Sequence, residues 1–283
     1  MNSGSLSLVL PAYNEAAVIA AAVAEAETAL AKLFPDFEIL VVDDGSSDAT
    51  AAIVRRGLAA APHTRLLRHA ENRGYGAALR TGFEAARFDL VAFTDADCQF
   101  DLLDLGMMTE LSADFPIVAG RRVDRKDSWL RRFYSWGYNK LAQALLGTGV
   151  HDCDCALKVF RREALAKLLP ESRGFFVNAE MLTRARLLGY KKTEVPVAHR
   201  PRLGGESKVS LLEIPRTLRT MLAFWWRNLV LGRLPSLAPA AVLQTRIILD
   251  AEPVATQSPV SNRLPSTEPA LPVAPPEPRR EVA

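Results

Sequence analysis

The sequence predicts an α/β protein, a mostly parallel sheet with helices packed on both faces. Short apolar runs of strand length alternate with longer helical runs through the first 120 residues. Those apolar runs are nearly continuous, the pattern of strands buried on both sides. Three of them end in acidic or polar clusters, where open α/β sheets bind ligands beyond the carboxyl ends of their strands.

The elements follow in order. Leu6–Leu10 forms the first strand and the alanine-rich run Ala16–Leu33 the helix after it. Phe37–Val42 is the second strand, ending in Asp43-Asp44-Gly45-Ser46-Ser47-Asp48 before a helix to Ala60. Arg65–Arg68 is a short strand, Gly74–Ala86 a helix, and Leu90–Thr94 a strand that ends at Asp95-Ala96-Asp97. Asp101–Ala113 is helical and Ile117–Ala119 extended. Beyond Gly120 the alternation loosens. Ser128–Leu146 carries apolar residues at helical spacing, Ala156–Phe160 is a strand, and Arg162–Leu169 and Ala179–Leu188 are helices. Thr193–Ala198 is the last strand, and Leu211–Leu231 an amphipathic helix with Pro215 in its first turn.

Composition sets the frame. With 283 residues, 49% hydrophobic and 24% charged, the chain belongs with soluble globular proteins and not with disordered or collagen-like ones. Ten of the 18 prolines fall after Leu234, so 234–283 is expected to be a disordered tail. The expected organisation is a catalytic domain over 1–209, an amphipathic helix over 210–233, and that tail. A net charge of +3 excludes a general nucleic-acid binder. Basic residues nevertheless gather in 121–140 and 200–233, with seven basic and two acidic side chains in each. Cys98, Cys153 and Cys155 make neither a disulfide framework nor a structural zinc site. No basic leader precedes the first strand, and no apolar run reaches the roughly 18 residues of a membrane span. The expectation is a cytoplasmic protein.

Asp95-Ala96-Asp97 is the sharpest local feature. Residues two apart in an extended segment face the same way, so both carboxylates can serve one ligand. Paired carboxylates suit a hard divalent ion that also binds phosphate oxygens, and Gln99 adds another oxygen nearby. The bland reading is a solvated turn. After the second strand, Asp44 is placed to meet a base or ribose, while Ser47 or Asp48 caps the next helix. In Pro11-Ala12-Tyr13-Asn14-Glu15 the proline stiffens the strand exit and Tyr13 can pack on a base; alone, the stretch is a helix entry with Glu15 in the positive first turn.

Taken together, PAYNE, VVDDGSSD, NRGYGAALRTGF and DADCQFD resemble family-2 glycosyltransferases of the GT-A fold, a Rossmann-like sheet. Downstream, AGRRVDRKD, RRFYSWGYNKL, HDCDCALKVFRR and HRPRLGGESKV resemble the dolichol-phosphate mannose synthase group and its bacterial polyprenyl-phosphate relatives. The resemblance spans about Leu6–Lys208, with the motifs in order. It implies a nucleotide-sugar donor, Mg²⁺ or Mn²⁺, and inversion at the anomeric carbon. By motif, Pro11, Tyr13 and Glu15 surround the base, and Val42 and Asp44 meet base and ribose. Asp95 and Ala96 lie beside the donor, Asp97 and Gln99 are metal ligands, and Arg122 (with Arg121 as the alternative) meets phosphate. Arg131 and Ser135 hold the acceptor's phosphate, and Arg202 and Lys208 ride a closing loop with Gly204-Gly205. The implied reaction carries mannose from GDP-mannose, or glucose or another sugar from a UDP-sugar, to a polyprenyl phosphate.

Chemistry agrees with that assignment. Breaking a sugar–diphosphate bond develops negative charge, which a cation and basic side chains stabilise. A phosphate monoester acceptor has a second pKa of about 6 and is already a dianion, so it needs arginines rather than a base. A hydroxyl acceptor would need a base, for which Asp152 and Asp154 are the candidates. Glu180 is a cap or a site residue. Trp225 and Trp226, with Phe224, Arg219 and Arg227, suit a helix lying on an anionic leaflet or one packed on the domain. The rival readings are transfer to a glycan or small-molecule hydroxyl, and a catalytically silent nucleotide-sugar or lipid-binding module.

Overall fold

In a computed structural model of the chain, the described residues are 4–123, 129–201 and 213–232, excluding the side chains of Arg131, Glu213 and Ile214. The expected tail over 234–283 lies outside them.

Seven strands form one sheet among these residues: β1 (Leu6–Ala12), β2 (Phe37–Asp43), β3 (Thr64–Arg68), β4 (Leu90–Phe93), β5 (Ile117–Val123), β6 (Lys158–Arg161) and β7 (Lys192–Ala198). Their order across the sheet is β3-β2-β1-β4-β6-β5-β7. β1, β2, β3 and β4 pair in parallel, as do β5 and β7. The exception is β6, antiparallel to both β4 and β5, with Phe93 opposite Lys158. That reversal brings the amino end of β6 to the rim where the other strands end. Every residue of β1 and β2 is buried, which explains why their sequences show no alternation.

Helices α1 (Ile19–Leu33), α2 (Thr50–Gly57), α3 (Tyr75–Ala85), α4 (Asp104–Leu111), α5 (Trp129–Leu146), α6 (Arg162–Leu168), α7 (Val177–Leu187) and α8 (Glu213–Trp225) complete the fold. α1 buries Ile19, Ala22, Val23, Ala26, Ala29 and Leu30, one stripe at helical spacing. It starts later than Ala16 because the preceding turn is held elsewhere: Asn14 has φ 51° and the Ala16 amide donates to Asp48. α4 likewise starts at Asp104, since Asp101 Oδ1 accepts the Leu103 amide in a turn before it. β6 starts two residues later than expected because the Lys158 ammonium donates to the Cys153 and Cys155 carbonyls and draws those residues into a loop.

No described helix is long and apolar enough to cross a membrane. One face of α8 is packed: Leu218, Phe224 and Trp225 lie against the core, with Phe224 edge-on to Phe176 at 5.3 Å. Leu222 on this helix, and Trp226, Val230 and Leu231 just beyond it, are exposed. The two readings of this helix therefore divide by face, and Trp225 belongs to the packed one. A five-residue π segment, Trp226–Val230, follows it.

Candidate active site

The rim formed by the carboxyl ends of β1, β2 and β4 collects the acidic motifs. The first two strand exits are tied together. Asn14 Oδ1 accepts the Ser47 and Asp48 amides, Ser46 Oγ accepts the Asn14 amide at 2.9 Å, and Thr50 Oγ1 accepts that of Glu15 at 2.8 Å. Asp48 Oδ1 also takes the Thr50 amide at the start of α2. Pro11 and Val42 are register partners beneath this knot, and Tyr13 stands above it, 36% exposed.

Asp44 is buried, and its geometry differs from the expectation of a group offered to base and ribose. His69 Nδ1 lies 2.6 Å from Oδ1, and the Arg73 and Gly74 amides donate to Oδ1 and Oδ2 at 2.9 and 2.8 Å. A carboxylate only accepts, so Nδ1 carries a proton, and Nε2 lies 2.9 Å from the Thr81 hydroxyl. Asp44 thereby fixes the connection from β3 to α3. That connection ends in Tyr75, whose hydroxyl donates to Asp95 Oδ1 at 2.9 Å. Burial, then the Asp95 charge, pushes the Tyr75 phenol well above its usual pKa, so it stays a donor.

Asp97 and Gln99 are buried beside half-buried Asp95. Asp97 Oδ1 accepts the Gln99 amide at 3.2 Å, around Cys98 at φ 58°. Gln99 Nε2 donates to the Arg200 carbonyl at 3.3 Å, leaving Oε1 as the acceptor of that side chain. A carboxylate and an amide oxygen suit Mg²⁺ or Mn²⁺, so these residues fit the ion that the motif implies. Among the described residues no group of three or more His, Cys, Asp or Glu could enclose a metal. The end of β7 is clamped here: Arg200 donates to Glu25 at 2.7 Å and pairs with Asp101 at 2.6 Å. Just beyond it, Arg202, Gly204-Gly205 and Lys208 lie outside the described residues.

On the other side of the rim, Arg122 is tied to Asp152 where contact with phosphate was expected. Nε and Nη2 donate to its two oxygens at 2.8 and 2.7 Å, and the Arg122 amide adds a third bond. Burial opposes the charge, yet Asp152 keeps this guanidinium above its ordinary pKa. Arg121, next along β5, is exposed. Asp152 is thus an anchor, itself held through its amide by Glu194 at 3.0 Å. Glu180 is buried too, taking the Glu171 and Ser172 amides at 2.9 Å each and pairing with Arg184. Neither carboxylate is presented as a base; Asp154 is half-buried. Ser135 sits half-buried on α5, one turn from Asn139, and the Arg131 side chain is outside the description. The residues that motif reading left without a role are His69, Thr81, Tyr75 and Lys158. Tyr75 and Thr81 lie in the highlighted motif NRGYGAALRTGF and Lys158 in HDCDCALKVFRR, while His69 lies in none.

α5 also carries exposed aromatics. Trp129, Phe133 and Trp136 are 77%, 58% and 59% exposed, at spacing that puts them on one helix face with exposed Lys140.

A sheet of this order, with acidic clusters at the ends of β2 and β4 and a reversed β6, is that of the GT-A fold. Residues 7–169 match the description "Glycosyl transferase family 2", and the chain belongs to that family. It is 34% identical over 218 residues to the undecaprenyl-phosphate 4-deoxy-4-formamido-L-arabinose transferase of Sodalis glossinidius (strain morsitans), covering 76% of this chain and 65% of that protein. It is 33% identical over 242 residues to glycosyltransferase AglD of Haloferax volcanii, covering 81% of this chain and 38% of the relative. The chain thus spans less than two thirds of these relatives. Among solved structures, glucosyl-3-phosphoglycerate synthase from Mycobacterium tuberculosis, complexed with Mn²⁺, UDP-glucose and phosphoglyceric acid, matches with TM-score 0.62 at 23% identity, over 79% of each chain.

Proposed function

We propose that the chain is an inverting, metal-dependent glycosyltransferase that moves a sugar from a nucleotide donor to a polyprenyl phosphate. The carrying observation is that β2, β4 and β5 run in one direction, so the acidic exits of β2 and β4 and the arginine-bearing end of β5 share one rim, to which the reversed β6 adds the Asp152 loop. The relatives named for undecaprenyl-phosphate transfer support the lipid acceptor.

In this reading Pro11, Tyr13, Glu15 and Val42 surround the base, Asp44 sets the loop beside it, and Asp95 and Ala96 line the donor. Asp97 and Gln99 would hold Mg²⁺ or Mn²⁺, which when bound supplies positive charge to the departing diphosphate. Arg131, Ser135 and Arg121 orient the acceptor phosphate, with Arg122 bracing them through Asp152. Arg202 and Lys208, which follow β7 in the sequence, would meet the donor diphosphate. The acceptor is already ionised, so no proton has to be removed. That agrees with Asp152 and Glu180 being engaged in the scaffold.

The exposed aromatics of α5 and the outer face of α8 support peripheral contact with the cytoplasmic leaflet, where such a lipid would be reached. Trp226 adds to them, and Arg132, Arg219 and Arg227 add positive charge. The test is a panel of GDP-mannose, UDP-glucose, other UDP-sugars and a UDP-pentose. It is run with undecaprenyl or dolichyl phosphate and Mg²⁺ or Mn²⁺, with mass detection of the lipid product. Release of nucleoside diphosphate only when metal and lipid phosphate are both present is the expected result. Arg131→Ala should weaken use of lipid phosphate more than donor binding. Transfer to a hydroxyl acceptor that depends on Asp154 would replace the lipid reading.

A further inference from the structure

We propose that Tyr75 is a positioning residue that holds the Asp95 carboxylate for the donor, a role that rests on the donor-site reading of that rim. Tyr75 opens α3 and spans from one strand exit to another. Its hydroxyl donates to Asp95 Oδ1 at 2.9 Å, and its ring stacks on Phe175 with centroids 5.6 Å apart. The phenol meets the same carboxylate pair whose second member, Asp97, is assigned to the cation.

What fixes Tyr75 is unusually complete. On one side, Asp44 takes the amides of Arg73 and Gly74, immediately before it, and is itself set by His69 and Thr81. On the other, the Gly76 amide donates to the Arg173 carbonyl at 2.8 Å. Gly74 has φ 97°, and a Cβ there would strike that carbonyl; at Gly76 one would strike the carbonyl of Ser172. The glycines on either side of Tyr75 are therefore required by the close approach of the 172–173 backbone. That backbone is held in turn by Glu180 through the Glu171 and Ser172 amides.

The tyrosine is gripped from the base side by Asp44 and from the α7 side by Glu180, and its one polar atom is delivered to Asp95. A hydrogen bond to a carboxylate oxygen orients that carboxylate. Without the hydroxyl, Asp95 loses one of the bonds that orient it, so donor affinity falls while the fold remains.

The experiment measures UDP binding by calorimetry, with and without Mn²⁺, for wild type, Tyr75→Phe, Asp95→Ala and the double variant. Tyr75→Phe keeps the ring and its stacking, and its thermal midpoint should stay near that of wild type. Its Mn²⁺-dependent UDP affinity should fall about tenfold, the scale of a hydrogen bond to a charged group. In the Asp95→Ala background the same change should have no further effect. Unchanged affinity in Tyr75→Phe overturns the proposal, as does an equal loss in both backgrounds, which would place the tyrosine's action elsewhere. Wild type that binds no UDP with Mn²⁺ removes the donor reading itself, and this role with it.

Discussion

Arg122 and Asp152 face each other as a two-pronged ion pair in which only 9% and 8% of the side chains are exposed. The arginine leaves the end of β5 and the aspartate precedes β6, so the pair closes the connection between neighbouring, oppositely directed strands. Removing one partner strands the other charge in a buried place. Asp152→Ala should therefore cost about 3 kcal/mol in urea unfolding. A loss below about 0.5 kcal/mol, the scale of an ordinary surface substitution, would show the pair to be incidental.

Asp97→Asn should lower turnover at least about 100-fold, because a cation at a developing diphosphate contributes several kcal/mol to the transition state. Chelation of divalent ions should have the same effect on the wild-type protein and be reversed by Mn²⁺. Full activity in either case would end the metal assignment.

Replacing Trp129, Phe133 and Trp136 together by alanine should reduce sedimentation with vesicles of phosphatidylglycerol and phosphatidylethanolamine by about tenfold. The melting temperature should hardly move, since these rings are mostly solvent-facing. Raising salt should weaken the remaining binding through the basic residues of α5 and α8. Vesicle binding that survives both changes would sink the idea of this contact face.

The buried thiols give a pH dependence. Burial pushes Cys155 up to about 12, against Lys158 and Arg122, which pull it down, and it pushes Cys98 up to about 11. In the unfolded chain a thiol ionises near pH 8.5. Between those values the folded protein binds more protons than the unfolded one, so stability falls as pH rises from about 9. Urea midpoints should decline over pH 9–11 in wild type and less steeply in Cys155→Ala. The neutral thiol should also resist iodoacetamide at pH 8 until the protein is denatured. Parallel slopes in the two proteins would refute the burial argument.

Strand positions were legible in the sequence because β1 and β2 are buried on both faces and show as unbroken apolar runs. The placement of Asp44, Asp95 and Asp97 at strand exits followed from the same pattern. The direction of β6 did not, because four residues of strand look alike whichever way they run. Pairing with β4 and β5 decides it. Nor could spacing tell that Asp152 belongs to Arg122, 30 residues earlier, or that Asp44 would be met by His69. Trp225 and Trp226 are adjacent in sequence and their rings lie 6.2 Å apart, yet Trp225 packs on the core while Trp226 is exposed, a difference that composition does not show.

The reversed strand has a consequence for how such a protein can change. The chain departs from the rim at the tip of β5 and re-enters at the foot of β6, with both anchor points stitched into the middle of the sheet. The stretch between is a cassette. A descendant gene can lengthen, shorten or recharge parts of it, while the half built on β1, β2 and β4 keeps its frame.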